Sequence, residues 1–341
     1  MPLILQLYSM KNIKRCLLLF TFLISIKTWS QESLQVISKS ETERIEKYLS
    51  SDELEGRKIF SKGIEKAAAF ISNEFKQTGL TFFNNTNSYF QFFPNHSSIK
   101  YSNEVSQKNE NSLLANVVGI IPGKSLSNEY VIFSGHYDHI GISSSNLVNG
   151  DSIYNGANDD AAGTTAMMML AKYFKKLNNN ERTLVFVAFT GEEEGGLGAR
   201  HFSKQFDPMS VKAMFNIEMI GTESKWGKNS AYITGFEKSD MGKILQNNLV
   251  GSTFTIYPDP YIDQNLFYRS DNQTLAKLGV PAHTISTSKM DNEPNYHKTS
   301  DQFETIDIDN MTEIIKAIAI SAQSIISGKD TPTRVGVTQL K

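Results

Sequence analysis

Short apolar segments and longer segments of helical period alternate through most of this chain after residue 112. The runs LLANVVGIIPG (113–123), EYVIFSG (129–135) and TLVFVAF (183–189) are strand-like, whereas TTAMMMLAKYFKKL (164–177) has Met, Leu, Ala and Phe at helical spacing. Strands that alternate with helices predict an α/β fold. We expect a three-layer sandwich with a mixed, largely parallel central sheet that is covered on both faces.

Other segments extend this pattern towards both ends of the chain. Residues 39–80 contain two apolar stretches of helical spacing, and Gly79 ends the second one. Residues 81–112 are polar and rich in Asn and Ser, which predicts an edge strand and a loop and no separate domain. The remaining predicted elements are a helix at 197–206, strands at 213–220 and 231–236, a helix followed by a strand within 273–287, and a long helix at 307–328.

The first thirty residues differ from the rest. A basic stretch, MKNIKR (10–15), precedes the apolar run CLLLFTFLISI (16–26), which has the length of a signal peptide and is short for a membrane span. We expect a secreted or periplasmic protein, with an uncleaved membrane anchor as the alternative. The expected organisation is a signal peptide at 1–30 that starts at Met1 or Met10 and is cleaved near Ser30, a single domain at 31–330, and a polar tail at 331–341.

Composition and charge narrow the classes of partner. The 341 residues are 40% hydrophobic and 21% charged, which is typical of a globular protein. Loss of the signal removes four of the 34 basic residues and none of the 36 acidic ones, which leaves a net charge of −6. This charge gives no reason to expect nucleic acid, or a membrane once the signal is removed, as a partner. The single cysteine, Cys16, lies in the signal, so a bound metal would need His, Asp and Glu as ligands.

Acids and imidazoles follow the predicted strands. In open α/β sheets, ligands bind beyond the carboxyl ends of the strands. Several such side chains at one edge of a sheet are typical of a metal site. They are His136 and Asp138 after EYVIFSG, Glu192 and Glu193 after TLVFVAF, Glu218 near the end of 213–220, Asp159 and Asp160 at the start of the helix that follows GAN, and His297 beyond the strand in 273–287.

Five ordered motifs resemble a known enzyme family. SGHYDHIG, GANDDAAGT, FTGEEEGGLGA, NIEMIG and YHKTSDQFETID are similar to the zinc-dependent aminopeptidase family that includes bacterial leucyl aminopeptidase and, more distantly, glutamate carboxypeptidase and glutaminyl cyclase. The upstream segment SSDELEGRKIF resembles the opening of secreted bacterial members. The resemblance covers roughly residues 40–325, and it implies the zinc-peptidase form of the α/β sandwich.

The resemblance also implies a set of ligands for two zinc ions per chain. His136 and Glu218 would bind one ion, while Glu193 and His297 would bind the other. Asp159 would bridge the two. Two dications that are typically about 3.5 to 4 Å apart need carboxylates between them, and these residues supply three. The implied substrate is a peptide, cleaved by water that zinc activates.

Two further roles follow from the same resemblance. Glu192 would be the general base, and it would pass the proton of the attacking water to the leaving amine. Asp138 would orient the ring of His136 through the nitrogen that does not face the metal. In this family, the peptide bond at the position of Asp159 and Asp160 is commonly cis. Asp160 is also the more suitable of these two residues as a helix cap.

The sequence departs from the family at two positions. Relatives more often have aspartate where Glu218 stands, and many have histidine at the position of Asn272, in a segment that borders the presumed substrate pocket. The side-chain preference of relatives therefore does not transfer to this chain. Residues expected to act only at the surface or as support are Glu194, Glu223 and Asp301, and the histidines expected to lie apart from the chemistry are His96, His139, His201 and His283.

Several functions remain open on the sequence alone. A di-zinc aminopeptidase is the leading hypothesis. Glutaminyl cyclase shares the fold and uses one zinc, and a receptor-like ectodomain without catalysis is a further alternative. A carboxypeptidase would need basic side chains for the substrate carboxylate, for which Arg269 and Lys289 are the candidates. Oligomeric state and native substrate are not predicted.

Overall fold

Nine strands form one sheet at the centre of the computed structural model, which describes residues 34–95, 113–144, 147 and 149–336. The predicted signal peptide, most of the loop predicted before residue 113 and the end of the predicted tail lie outside the described residues. In the part of the chain that the structure describes, no helix has the length and apolar character needed to cross a membrane.

The sheet is parallel in its centre and includes antiparallel pairs on both sides of that centre. Its order is β1-β3-β7-β4-β8-β11-β9-β10, and β2 also pairs with β3. β4 runs parallel to both β7 and β8, and β8 runs parallel to β11, whereas β3 is antiparallel to its neighbours and β9 to β11. The strands are β1 (Thr81–Phe82), β2 (Phe90–Pro94), β3 (Leu113–Ile121), β4 (Leu126–His136), β7 (Arg182–Phe189), β8 (Val211–Ile217), β9 (Ser230–Ile233), β10 (Thr255–Pro258) and β11 (Ala282–Ser286), with a separate hairpin of β5 (Gly141–Ile142) and β6 (Ile153–Tyr154).

Helices cover both faces of the sheet. One apolar core lies under the helices that include Ile45, Phe75, Met168 and Ile315, and a second, smaller core lies under Phe202 and Leu275. The helices are α1 (Lys39–Leu49), α2 (Lys62–Thr78), α3 (Ala162–Leu177), α4 (Leu197–Ser203), α5 (Met241–Asn248), α6 (Gln273–Ala276), α7 (Ile308–Ser321) and α8 (Gln323–Ile326).

Strand β7 shows why the sheet must be covered on both sides. All eight of its residues are buried. Leu184 and Phe186 point into the larger core, while Val185 and Val187 point into the smaller one. Because successive side chains of a strand face opposite sides, a continuous apolar run requires two covering layers. The predicted three-layer α/β sandwich is confirmed.

The observed helices and strands differ from the predicted ones mainly where an element is too short to show a hydrophobic period. Helix α5 and strand β10 fall between 237 and 272, where no element was predicted, because eight and four residues carry too little pattern. The long helix predicted at 307–328 is divided into α7 and α8 at Ala322. The three methionines at 167–169 are buried in the larger core.

A carboxyl group is buried between α1 and α3. Glu46 is fully buried, and its Oε2 accepts a hydrogen bond of 2.8 Å from the hydroxyl of Thr165. Its Oε1 has no hydrogen-bond partner among the described residues. Burial raises the pKa of Glu46 to about 8, although Thr165 and the charge of Arg57 lower it.

This raised pKa predicts how stability changes with pH. The folded state holds the Glu46 proton more tightly than the unfolded state does, so the free energy of unfolding should fall as pH rises from 4.5 to about 8. Glu46→Gln should remove a slope of up to about 1.4 kcal/mol per pH unit in this window. Urea unfolding of the metal-free protein at pH 5, 6.5 and 8 measures the difference. Glu65→Gln, at an exposed position of α2, is the control; equal slopes in the two variants would contradict the prediction.

Candidate metal centre and active site

The side chains singled out by the sequence meet at one edge of the sheet. Strand β4 ends at His136, β7 is followed by the turn that carries Glu192 and Glu193, and β8 is followed directly by Glu218. These three neighbouring strands run parallel, so their carboxyl ends lie side by side. Asp159 lies in the turn Ala157–Ala161, which leads into α3.

Asp159 occupies the middle of the cluster. Its Oδ1 lies 3.2 Å from Nε2 of His136, and its Oδ2 lies 3.2 Å from Nε2 of His297. One carboxylate therefore faces two imidazoles, one with each oxygen. The peptide bond between Asp159 and Asp160 is cis, as the family resemblance implies.

The first group of candidate ligands consists of His136, Asp159 and Glu218. One ligand atom from each of them lies within 4.8 Å of the others. Nδ1 of His136 lies 3.1 Å from the main-chain oxygen of Asp138. A carbonyl oxygen only accepts, so Nδ1 carries the proton and Nε2 is left as the metal-facing nitrogen. The buried atoms Nε2 of His136 and Oε2 of Glu218 have no hydrogen-bond partner in the described structure.

The second group lies on the other side of Asp159. Ligand atoms of His139, Asp159 and Glu193 also lie within 4.8 Å of one another. Nδ1 of His139 is 2.8 Å from Oε1 of Glu193, and Nε2 of His297 is 3.3 Å from Oε2 of the same carboxylate. Two imidazoles thus lie against Glu193, one buried and one partly exposed.

The position of His139 differs from the expectation that this histidine lies apart from the chemistry. The sequence places it one residue after Asp138, but the direction of a side chain in a turn is not encoded in a local period. The available signal was the spacing HYDH itself, since a turn at a strand end can return a second imidazole to the same site. His139 therefore joins the candidate ligands.

Asp138 supports the site through two different contacts. Its main-chain oxygen orients the ring of His136, as described above. Its carboxylate accepts hydrogen bonds from the amides of Glu192 and Glu193, at 3.1 and 3.3 Å. The side-chain oxygen lies 3.8 Å from Nδ1 of His136, which is beyond hydrogen-bond distance. The carboxylate thus fixes the glutamate turn, and the backbone fixes the imidazole.

Two further buried aspartates hold the turn around Asp159. Oδ1 of Asp160 accepts hydrogen bonds from the amides of Gly163 and Met219, at 2.9 and 3.1 Å, which includes the expected role at the start of α3. Its Oδ2 accepts a bond of 3.1 Å from the amide of His136. Asp301, expected to act as support, accepts hydrogen bonds from the amides of Asn158 and Asp159, at 2.9 and 3.0 Å.

The other residues considered in the sequence lie elsewhere. Glu194 is exposed, as expected. His283 is buried in β11, where Nδ1 is 2.8 Å from the carbonyl of Thr234 and Nε2 is 2.7 Å from the hydroxyl of Ser239. Burial lowers its pKa to about 4. His201 stacks on Phe93, and His96 lies outside the described residues.

The site carries an excess of buried negative charge. Burial raises the pKa of Glu192 well above its usual range, and Glu218 and Asp271 raise it further. Burial also raises the pKa of Asp271 to about 8, and neither of its oxygens has a hydrogen-bond partner among the described residues. Although burial opposes it, His136 and His297 hold the pKa of Asp159 far below its usual range. Clustered carboxylates with unpartnered oxygen and nitrogen atoms fit divalent cations, and imidazole with carboxylate is a ligand set that zinc accepts.

A small cavity opens beside Glu218. It has about 50 Å³ of free volume, and its wall includes Met219, Tyr232, Arg269 and Tyr296. Arg269, one of the two basic candidates for a carboxylate-binding residue, therefore lies at the site. The segment that starts with Arg269 borders a pocket, as expected.

Asn272 does not face this cavity. It is fully buried, and its amide nitrogen donates to the carbonyls of Phe267 and Ala282, at 2.9 and 3.1 Å. Its Oδ1 accepts a bond of 3.0 Å from the hydroxyl of Thr284. Asn272 thus joins the pocket segment to β11.

The fold and the cluster of acids and imidazoles at the sheet edge define a metallopeptidase. A model described as peptidase family M28 matches residues 116–321, which is more than half of the chain. The chain therefore belongs to peptidase family M28, and the resemblance to the zinc-dependent aminopeptidase family is confirmed.

Individual relatives agree with this assignment. A protein of Trichophyton verrucosum named "Probable leucine aminopeptidase" is 29% identical over 210 residues, which are 59% of this chain and 54% of the relative. The chain thus spans about half the length of that relative. The LapA aminopeptidase of Legionella pneumophila has a TM-score of 0.65 at 18% identity, over 88% of this chain and 75% of that one. Porphyromonas gingivalis glutaminyl cyclase has a TM-score of 0.61 at 12% identity, over 85% and 99%. At these identities, the similarity to the two structures shows only that this chain has the same fold.

Proposed function

We propose that this protein is a secreted or periplasmic exopeptidase that hydrolyses the N-terminal bond of peptides with the help of two zinc ions. The observation that carries the proposal is the position of Asp159, whose two oxygens each lie 3.2 Å from a different histidine. A carboxylate between two imidazole groups is the arrangement that a bridging ligand of a two-metal centre requires.

The two ligand groups would each hold one ion. His136, Asp159 and Glu218 would form the first site. Asp159, Glu193 and His297 would form the second, with His139 as a further candidate ligand there. Glu218 reaches the first group although relatives more often have the shorter aspartate. The buried ring of His139 lies beside the second site.

The chemistry that two zinc ions supply in such a centre is a nucleophile at neutral pH and polarisation of the scissile carbonyl. A side chain of the protein would transfer the proton of the attacking water. Glu192 belongs to neither ligand group, but the amides of Glu192 and Glu193 are held by the same carboxylate of Asp138. Glu192 is therefore placed to take a proton at its carboxylate and to return it to the leaving amine.

Two other observations support the proposal. The relatives named above include proteins with aminopeptidase in their names. Export is suggested by the basic and apolar pattern of residues 10–26.

Aminoacyl-coumarin substrates test the function directly. We expect hydrolysis of substrates with a free amino group, little or no hydrolysis of N-acetylated ones, loss of activity with a chelator, and recovery with zinc. Purified protein should contain about two zinc ions per chain. Hydrolysis of blocked peptides alone, from the carboxyl end, would instead favour a carboxypeptidase that uses Arg269.

A peptide with N-terminal glutamine separates the remaining alternative. A peptidase releases free glutamine from this peptide. A glutaminyl cyclase instead closes the N-terminal glutamine into a ring, releases ammonia, and leaves a peptide of unchanged length that is lighter by the mass of ammonia. Ammonia release without free glutamine, from protein with one zinc, would replace the proposal by glutaminyl cyclase.

A further inference from the structure

The segment DELEGR (Asp52–Arg57) ends in an arginine whose side chain lies next to the segments that carry the candidate metal ligands. Arg57 is 1% exposed, although it ends a turn between α1 and α2 in which three acidic residues are exposed. Its Nε donates to the carbonyl of Tyr137 at 2.9 Å, and Nη2 donates to the carbonyl of Gly156 at 2.8 Å. Nη1 donates to the carbonyls of Leu49 and Asn155, both at 2.5 Å. All four acceptors are main-chain oxygens.

Two of the contacted segments carry candidate ligands. Tyr137 lies between His136 and Asp138, and Gly156 is three residues before Asp159. The carbonyl of Arg57 in turn accepts a hydrogen bond of 3.3 Å from the amide of His139. Arg57 thus joins the segment after β4 to the turn before α3.

The backbone of this segment is shaped for close approach. Gly56 and Arg57 both have positive φ, at 65° and 50°. A Cβ at Gly56 would meet the carbonyl oxygens of Tyr154 and Gly141 at 2.5 and 2.7 Å, so only glycine allows this contact. The turn Asp52–Arg57 therefore packs closely against the β5–β6 hairpin, and the side chain of Arg57 extends from this turn into the interior.

The charge of Arg57 also suits its position. Burial lowers the pKa of Arg57, and the nearby carboxyl groups of Glu46, Asp301 and Asp138 oppose this shift. A planar guanidinium with five N–H groups can bind four acceptors in different directions, whereas a lysine ammonium has three donors on one atom.

We propose that Arg57 is a positioning residue that fixes the segments of His136 and Asp159 relative to each other and so sets the affinity of the site for metal. The inference rests on the proposed zinc centre. The hydrogen bonds of the Arg57 guanidinium described above all go to main-chain oxygens, so Arg57 would act through the main chain next to the ligands.

Arg57→Lys tests the proposed role, because lysine keeps the positive charge but lacks the planar guanidinium and its five N–H donors. Support groups around metal ligands typically change metal affinity by about 10- to 100-fold when they are substituted, and we expect a loss in this range. Zinc affinity is measured by competition with a chelator. The cobalt-substituted protein gives a second measurement, since its visible absorption spectrum reports ligand geometry and should change in the variant.

Arg182→Lys is the matched control. Arg182 is 2% exposed and donates to the carbonyls of Ile325 and Asp330, both at 2.7 Å, but it begins β7 at the end opposite to Glu192. Its substitution should leave zinc affinity and the cobalt spectrum near wild type. Equal losses of zinc affinity in both variants, or wild-type affinity and spectrum in Arg57→Lys, would overturn the inference.

A second variant covers the case in which Arg57→Lys does not fold. Arg57→Gly suits the positive φ and leaves a space that ethylguanidinium can enter. Added ethylguanidinium should restore zinc affinity, and failure to restore it would count against the inference. Wild-type protein that binds no zinc would refute the proposed function itself. Tight zinc binding in both Arg57→Lys and Arg57→Gly would refute only the role of Arg57.

Discussion

Glu192→Gln is expected to lower kcat/KM by about 10²- to 10⁴-fold while the zinc content stays near that of the wild type, because general acid–base groups contribute rate in this range. The side chain of Glu192 is not in either ligand group, and glutamine has nearly the same shape. The substitution therefore removes proton transfer and leaves the metal in place. Steady-state kinetics together with metal analysis of the same preparation measures both quantities.

Glu194→Gln is the matched control for this prediction. Glu194 lies two residues further in the same acidic run and is exposed. Its substitution changes the net charge by the same amount and should leave kcat/KM within about twofold, since substitutions at exposed positions have small effects. If Glu192→Gln loses zinc, Glu192 is a ligand and not the base.

Asp159→Asn is expected to remove most of the zinc from both sites. One ligand group contains His136 and the other contains His139. Among the described residues, Asp159 is the only one that belongs to both groups. Its replacement removes negative charge between two dications and leaves an amide that binds zinc poorly. We expect less than one zinc per chain after dialysis and loss of peptidase activity.

His297→Ala gives the comparison for Asp159→Asn. His297 contacts Glu193 and the shared Asp159, and it contributes a ligand atom to the second site only. Its removal should lower the zinc content by about one ion, because only one site loses an imidazole. If both variants retain two zinc ions, the proposed ligand assignment is wrong. If His297→Ala has no effect, His139 supplies the imidazole of the second site.

The sheet could be predicted from sequence because its strands are apolar on both faces. In β7, eight consecutive buried residues leave few alternatives to a central strand. Short elements such as β10 were missed, since their four residues owe their conformation to pairing with β9 and not to a pattern of their own.

The candidate site could be predicted as a set of residues but not as a set of contacts. The carboxyl ends of the parallel strands place His136, Glu193 and Glu218 together, and this follows from topology alone. The rotation of individual side chains depends on packing around each turn, so the spacing HYDH allowed the inward direction of His139 but did not determine it. The same limit applies to Asp138, whose backbone and carboxylate have separate partners.

The shared carboxylate of Asp159 has a consequence for how the enzyme would be loaded. The candidate ligands are spread from residue 136 to residue 297, so they meet only after the strands between them have paired. Zinc would then enter a scaffold that is already folded. Since one side chain would serve both proposed sites, occupancy of the first would change the affinity of the second, so the two zinc ions are not expected to bind independently.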